Sequence, residues 1–205
     1  MRRVIFAGLA LLGACASSQT QAANATAHSG EVISCAHAEP DGGRTVCHEI
    51  VVAAPRDEVW RLLSTSEGLR TWAAPVVALD LRLGGIWEAS YNPDAALGDP
   101  ANIRNRVLSF APGRMLSLQV DRAPPGFPHA DLARDTWSVI ELQDAGAGRT
   151  RVRVSGLGYR TGPGHDELYA FFDRGNAWTL QQLQRRVVDG PADWRETVAP
   201  QPASP

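Results

Sequence analysis

Between Cys35 and Glu49 the chain reads CAHAEPDGGRTVCHE. Two thiols and two imidazoles in so short a stretch could ligate a soft metal ion, run thiol–disulfide chemistry or close a disulfide. Cys35 and Cys47 are symmetric about Asp41, which sits in the turn-rich segment EPDGG. A hairpin closed there sets the two cysteines opposite each other, at a Cα separation of about 4.5–5.5 Å that suits a disulfide. His37 shares the face of Cys35, whereas His48 alternates away from Cys47, so four metal ligands do not converge without distortion. The pair reads as a disulfide, with a metal site or a redox centre as the alternatives.

Elsewhere the reactive side chains fall into no catalytic spacing. There is no nucleophile elbow, HExxH, P-loop or dinucleotide fingerprint. His165-Asp166-Glu167 could shuttle protons, yet acids at a helix start serve capping and the helix dipole. His129, beside Pro128 in the loop RAPPGFPHADLARD, reads as a solvated loop histidine able to swing across a mouth. No catalytic residue, metal ligand or cofactor is assigned.

The compartment decides what two nearby thiols become. Arg2 and Arg3 precede an apolar run from Val4 to Ala14. That run is shorter than the roughly 20 residues a spanning helix needs and fits the core of a secretory signal peptide. Leu12-Gly13-Ala14-Cys15 resembles a bacterial lipobox, which would make Cys15 a lipid-bearing N-terminus. Cleavage after Ala22 or Ala25 is the alternative. Residues 1–15 are thus expected to be a leader and 16–30 a flexible spacer poor in large apolar groups. Residues 31–190 form one domain, and 191–205 a disordered tail rich in proline and alanine, with Trp194 its one anomaly. The expected location is the periplasm or cell envelope, including the outer membrane as a lipoprotein, or otherwise secretion. Outside the cytoplasm two close thiols normally oxidise.

Composition sets the remaining bounds. About 160 residues suffice for one domain with a sizeable core. A net charge of −2 creates no field that would recruit nucleic acid. Nothing in the sequence forces an oligomer, and a monomer is expected.

The elements that must position these residues follow from periodicity. Thr45 to Ala54 alternates as a strand. Pro55-Arg56-Asp57-Glu58 opens a helix with an apolar stripe of Val59, Leu62 and Leu63. A second short helix runs from an N-cap at Ser66 to Trp72. Val77, Leu79, Leu81 and Leu83 then share one strand face, and Gly84-Gly85 turns the chain. Trp87, Ala89 and Tyr91 share a face of the next strand. Four further strands span Ile103 to Phe110, Met115 to Asp121, Thr136 to Gln143 and Arg149 to Leu157. A long helix follows, from His165 or Asp166 to about Val188. The order is α+β: a strand, two short helices, about six antiparallel strands and one long C-terminal helix, around which the sheet curls.

The segments IVVAAPRDEVWRLLSTSEGLRTWAAP (50–75), LDLRLGGIWEASY (79–91), VLSFAPGRML (107–116) and LYAFFDRGNAWTLQQLQRRV (168–187) resemble the SRPBCC (START-like, helix-grip) superfamily. Within it they are most similar to the branch named after the heat-shock chaperone ATPase activator. The resemblance covers Thr45 to Val188. It implies a curved antiparallel sheet gripping the C-terminal helix around a deep, mostly apolar cavity. Superfamily members carry lipids, sterols or polyketide-like molecules, cyclise or dehydrate aromatic polyketides, or act as chaperone cofactors. A secretory leader does not suit the last role.

The candidate ligand contacts are Trp87 and Tyr91 from the sheet, Trp72 near the mouth, and Phe127 as a loop lid. The long helix adds Tyr169, Phe172 and Asn176 on one stripe, and Asn176 is its candidate polar group. Ordinary core packing competes for each aromatic. Gly175, in mid-helix, allows close approach to the sheet or leaves room for a ligand. Arg149, Arg151 and Arg153, and likewise Arg104 and Arg106, read as solvated strand faces. The leading expectation is a binding protein for a small apolar or amphipathic ligand. The alternatives are a polyketide cyclase or dehydratase moving protons with Asn176, Tyr91 or His129, and an envelope protein–protein module.

Overall fold

The structure is a computed structural model in which residues 30–195 are described. The expected leader, Cys15, most of the expected spacer and the residues beyond Arg195 lie outside the described residues.

Strand β3 (Arg44–Val52) is followed by α1 (Arg56–Ser64) and α2 (Ser66–Arg70). Pro55 occupies the cap position of α1, with Asp57 and Glu58 in its first turn, where acids oppose the dipole. The cap of α2 is Thr65, not the expected Ser66: the Thr65 hydroxyl accepts from Gly68 N at 2.9 Å. Ser66 instead accepts from Leu79 N at 2.8 Å and ties the helix to the next strand. A Cβ at Gly68 would lie 2.3 Å from the Arg61 carbonyl oxygen, so the tight α1–α2 corner requires glycine.

The chain then lays down β4 (Val76–Leu79), β5 (Ile86–Ser90), β6 (Ile103–Ala111), β7 (Met115–Arg122), β8 (Trp137–Asp144) and β9 (Thr150–Tyr159). Two short strands, β1 (Ile33–Ser34) and β2 (His37–Ala38), precede them and both pair with β3. The described residues therefore form a nine-stranded antiparallel sheet in the order β1-β3-β9-β8-β7-β6-β5-β4, with β2 also on β3. This is the expected α+β helix-grip architecture, one strand before the two short helices and six after them, with two short strands, β1 and β2, added on β3. Helix α3 (Pro163–Asp189) lies across the concave face and packs chiefly on β3 and β9.

Register decides which side chains face the helix. Ile50 pairs with Val152 and Val152 with Leu142, and all three are buried in the core on the concave side. Burying each such side chain contributes about 1.5–3 kcal/mol. Alternate residues point outward. Glu49 meets Arg151 at 3.7 Å and Arg153 at 3.0 Å, and Arg104 and Arg106 both pair with Asp121. The arginine-rich strand faces are thus outer, ion-paired surfaces.

Cys35 and Cys47 form a disulfide with Cα atoms 4.8 Å apart. Ladder pairs Ser34–His48 and Ile33–Glu49 continue directly from it, as the symmetry about Asp41 implied. The histidines go elsewhere. His37 Nε2 lies 3.1 Å from Glu39 Oε1, and His48, on the opposite face, lies 3.4 Å from Asp173 Oδ1 on α3.

The start of the tail is docked rather than loose. Ala192 N donates to Thr71 O at 2.8 Å, and Trp194 Nε1 donates to Arg70 O at 2.6 Å. Arg186 Nε, on the last turns of α3, donates to Thr71 Oγ1 at 2.9 Å. These bonds fix the C-terminal end of α3 against the end of α2.

Candidate ligand-binding site

Between the concave face and α3 lies an apolar cavity of about 30 Å³, lined by Leu63, Leu69, Trp72, Trp87, Ile140, Val152, Val154, Thr179, Leu180 and Leu183. Each wall has a simple origin. Leu63 and Leu69 come from the buried stripes of α1 and α2. Val152, Val154 and Ile140 are inward residues of β9 and β8, opposite each other in register. Thr179, Leu180 and Leu183 occupy the sheet-facing side of α3 at spacings of one, three and four. None of these residues carries a charge, and the Thr179 hydroxyl is occupied in donating to Gly175 O at 2.8 Å.

The enclosed volume is far smaller than the deep hollow that the family resemblance implies. Trp72 is the first reason. Expected near a mouth, it is 3% exposed and forms an inner wall, its Nε1 donating to Leu62 O at 3.0 Å. Leu180 and Leu183, each about 1% exposed, fill the rest.

Only Trp72 and Trp87 of the seven candidate contacts line this cavity. Tyr91 stands just past the end of β5, 53% exposed, with its ring edge-on to Trp178 at a centroid distance of 5.9 Å. Phe127, Tyr169 and Phe172 belong to a second cluster around Val46, Val120, Tyr159 and Leu168, at the N-terminal half of α3. There Phe127 meets Phe171 at 5.0 Å and Phe172 at 5.9 Å, so the loop is held on the helix by edge-to-face contacts. Tyr159 packs on Tyr169 and Phe172, and its burial raises its phenol well above the usual range. Arg44 lies 4.5 Å from the centroid of Tyr169 and pairs with Asp166 at 2.6 Å.

Asn176 sits on α3 between the two clusters, one turn before Thr179 and Leu180, and its Nδ2 is buried without a partner. Trp87 Nε1 is likewise buried and unpartnered. Gly175 faces open space: a Cβ there would meet nothing within 4 Å. Close approach to the sheet is therefore not what glycine serves at this position.

The candidate proton-transfer groups lie outside the cavity lining. His129 Nε2 is 2.6 Å from Glu167 Oε2, which pins the proline-rich loop to the first turns of α3 rather than leaving it free. Sequence reasoning missed the aliphatic walls Leu63, Leu69, Ile140, Val152, Val154, Leu180 and Leu183. Their periodicity marked them as core, and nothing in a sequence distinguishes a core leucine from a cavity wall.

The comparisons with known proteins agree with this geometry. The profile of the family described as polyketide cyclase / dehydrase and lipid transport matches residues 44–190. No curated protein matches the chain. Among solved structures, the Aha1 dimer from Colwellia psychrerythraea superposes with a TM-score of 0.56 at 16% identity, covering 72% of this chain and 98% of that one. CalU16 from Micromonospora echinospora gives 0.55 at 19%, covering 77% and 86%. A protein from Mesorhizobium loti gives 0.55 at 20%, covering 71% and 97%. At these identities the structural likeness speaks for the fold, while the profile covers most of the chain. With its curved sheet, gripped helix and apolar interior, the chain belongs to the polyketide cyclase / dehydrase and lipid transport family of the SRPBCC superfamily.

Proposed function

We propose that this protein is an exported binding protein for a small apolar or amphipathic molecule held between the sheet and α3. The observation that carries the reading is the position of the cavity, between concave face and helix, with walls supplied by both and no charged side chain among them. Ligand pockets of this type are mostly apolar, with a few polar groups that fix orientation. The absence of a titratable group from the lining favours carriage over conversion, because general acid–base catalysis needs such a group within hydrogen-bond reach.

The enclosed volume of about 30 Å³ holds only a few water-sized groups. A larger ligand must displace half-buried walls, of which Trp87, Ile140 and Thr179 are the least packed. The Cys35–Cys47 disulfide supports export, since such bonds persist in oxidising compartments. Lipid attachment at Cys15 would hold the domain at a membrane through the spacer.

Native mass spectrometry of protein purified from its own host tests the reading. One consistent co-purifying small molecule is the expected result. Protein that emerges empty and takes up no apolar probe overturns it. The intact mass of the mature N-terminus separates a diacylated Cys15 from cleavage after Ala22 or Ala25.

A further inference from the structure

The segment after α3 closes the seam between α2 and α3. Arg186 and Ala192 both bond to Thr71, the first to its hydroxyl at 2.9 Å and the second to its carbonyl at 2.8 Å. Continued as helix, those six positions would lie about 9 Å apart. The chain therefore folds back, and Gly190, at φ 94°, supplies a backbone conformation that other residues rarely adopt. Trp194 then donates its indole N–H to the Arg70 carbonyl at 2.6 Å. Arg70 is the last residue of α2 and Thr71 its cap. Carbonyls at a helix end have no partner within the helix, and here the returning segment supplies the donors.

This seam is a wall of the cavity. Leu69 and Trp72 flank the two bonded carbonyls, Leu183 lies one turn before Arg186, and all three line the cavity. Other walls are harder to part, since Ile140, Val152 and Val154 belong to strands joined by a continuous ladder. Helix α3 packs chiefly on β3 and β9, whereas α2 packs on α1 and β4. Trp72, through its bond to Leu62 O, belongs with α1 and α2. The bonds of Arg186, Ala192 and Trp194 thus bridge two bodies that lean on different parts of the fold.

We infer that residues 190–195 form an autoinhibitory latch. Seated, it holds α2 against α3 and limits the cavity to about 30 Å³, room for only a few water-sized groups. Released, it lets the helices part, so that a larger apolar molecule enters between Leu69, Trp72 and Leu183. This rests on the binding reading above and gives that site a control. The occupant holds the seam open, so occupancy and latching compete. Apparent affinity is then the intrinsic affinity reduced by the fraction of unlatched molecules.

Fluorescence titration and stopped-flow mixing with N-phenyl-1-naphthylamine, a neutral apolar probe, test this on the full chain. Trp194→Phe keeps the ring and removes the N–H, and Arg186→Met keeps the length and removes the guanidinium. Each is expected to tighten the probe about three- to fivefold, the worth of one exposed hydrogen bond, through faster association with dissociation unchanged. Thermal midpoints should fall in the same variants. Binding that strengthens as the fold weakens is a combination that a merely structural contact does not give. Probe affinity unchanged or weakened in both variants would overturn the latch and leave carriage standing. Absence of uptake by the wild type and by both variants would sink carriage and latch together.

Discussion

The ring of Tyr91 meets the ring of Trp178 edge-on, with centroids 5.9 Å apart and planes at 78°. It joins the segment just beyond β5 to α3, two elements far apart in sequence, beside a helix turn whose Gly175 has empty space around it. Seven residues separate Phe171 from Trp178, about 10 Å along the axis. Gly175 falls between them on the same stripe, so this side of α3 carries two aromatic contacts with a gap between. Tyr91→Ala is expected to lower stability by about 0.5–1.5 kcal/mol, the worth of an edge-to-face pair. Tyr91→Phe, which keeps the ring, should change it by less than about 0.5 kcal/mol. Thermal melts of both variants check this, and equal losses would show that the hydroxyl rather than the ring matters.

Filling the gap gives a second expectation. Gly175→Ala adds a methyl group where nothing lies within 4 Å and replaces a poor helix former with the best one. Stability should rise by about 0.5–1 kcal/mol, partly through a less flexible unfolded chain. Chemical denaturation measures it. A loss instead would mean that the site is occupied in the native protein.

The clasp at the N-terminal edge has a calculable worth. Cys35 and Cys47 are separated by 12 positions, and closing a loop of that size stabilises by about 3 kcal/mol in the chain-entropy model. Cys35→Ala/Cys47→Ala should lose roughly that amount in guanidinium unfolding. Hydrogen exchange should accelerate first in β1 and β2, whose ladders comprise only two pairs each. Unchanged exchange there would show that the extra strands hold without the bond.

Alkaline unfolding should report Tyr159. Burial raises its folded-state pKa above the ordinary 10.0, and the partly buried Tyr169 is raised for the same reason. Below pH about 10 the phenol is neutral in both folded and unfolded chains, so its contribution is intact. Above that pH the unfolded chain ionises first, and stability falls as pH rises toward the folded value. Tyr159→Phe removes this site, so its urea midpoint should decline less steeply between pH 9 and 11 than that of the wild type. The comparison is of slopes, since the variant also loses a buried hydroxyl. Parallel slopes would place the alkaline sensitivity elsewhere.

Much of this protein follows from local chemistry alone. Alternation in β3 and β9, the proline and acids that open α1, and the apolar stripe of α3 each reflect a preference that a few neighbouring residues enforce. The disulfide was legible because the register of a short hairpin is a counting problem, and Cys35 and Cys47 count to the same distance from Asp41. The capping of α2 was not legible between Thr65 and Ser66, since both can cap and only the position of Leu79 N engages the Ser66 hydroxyl elsewhere.

The site itself depended on tertiary structure. Periodicity places Tyr169, Phe172 and Asn176 on one stripe of α3, but it cannot say what lies under each turn of a helix about 40 Å long. The sheet curls beneath that helix, so its N-terminal half closes on Tyr159 and Phe127, whereas its C-terminal half, with Thr179, Leu180 and Leu183, roofs the cavity beside Trp87. The sequence by itself determined the elements, their order and the face each presents. How far along α3 the sheet's hollow falls was decided only by the long-range packing of strands far apart in the chain. That packing sent Trp72 into the wall and left Tyr91 at the rim.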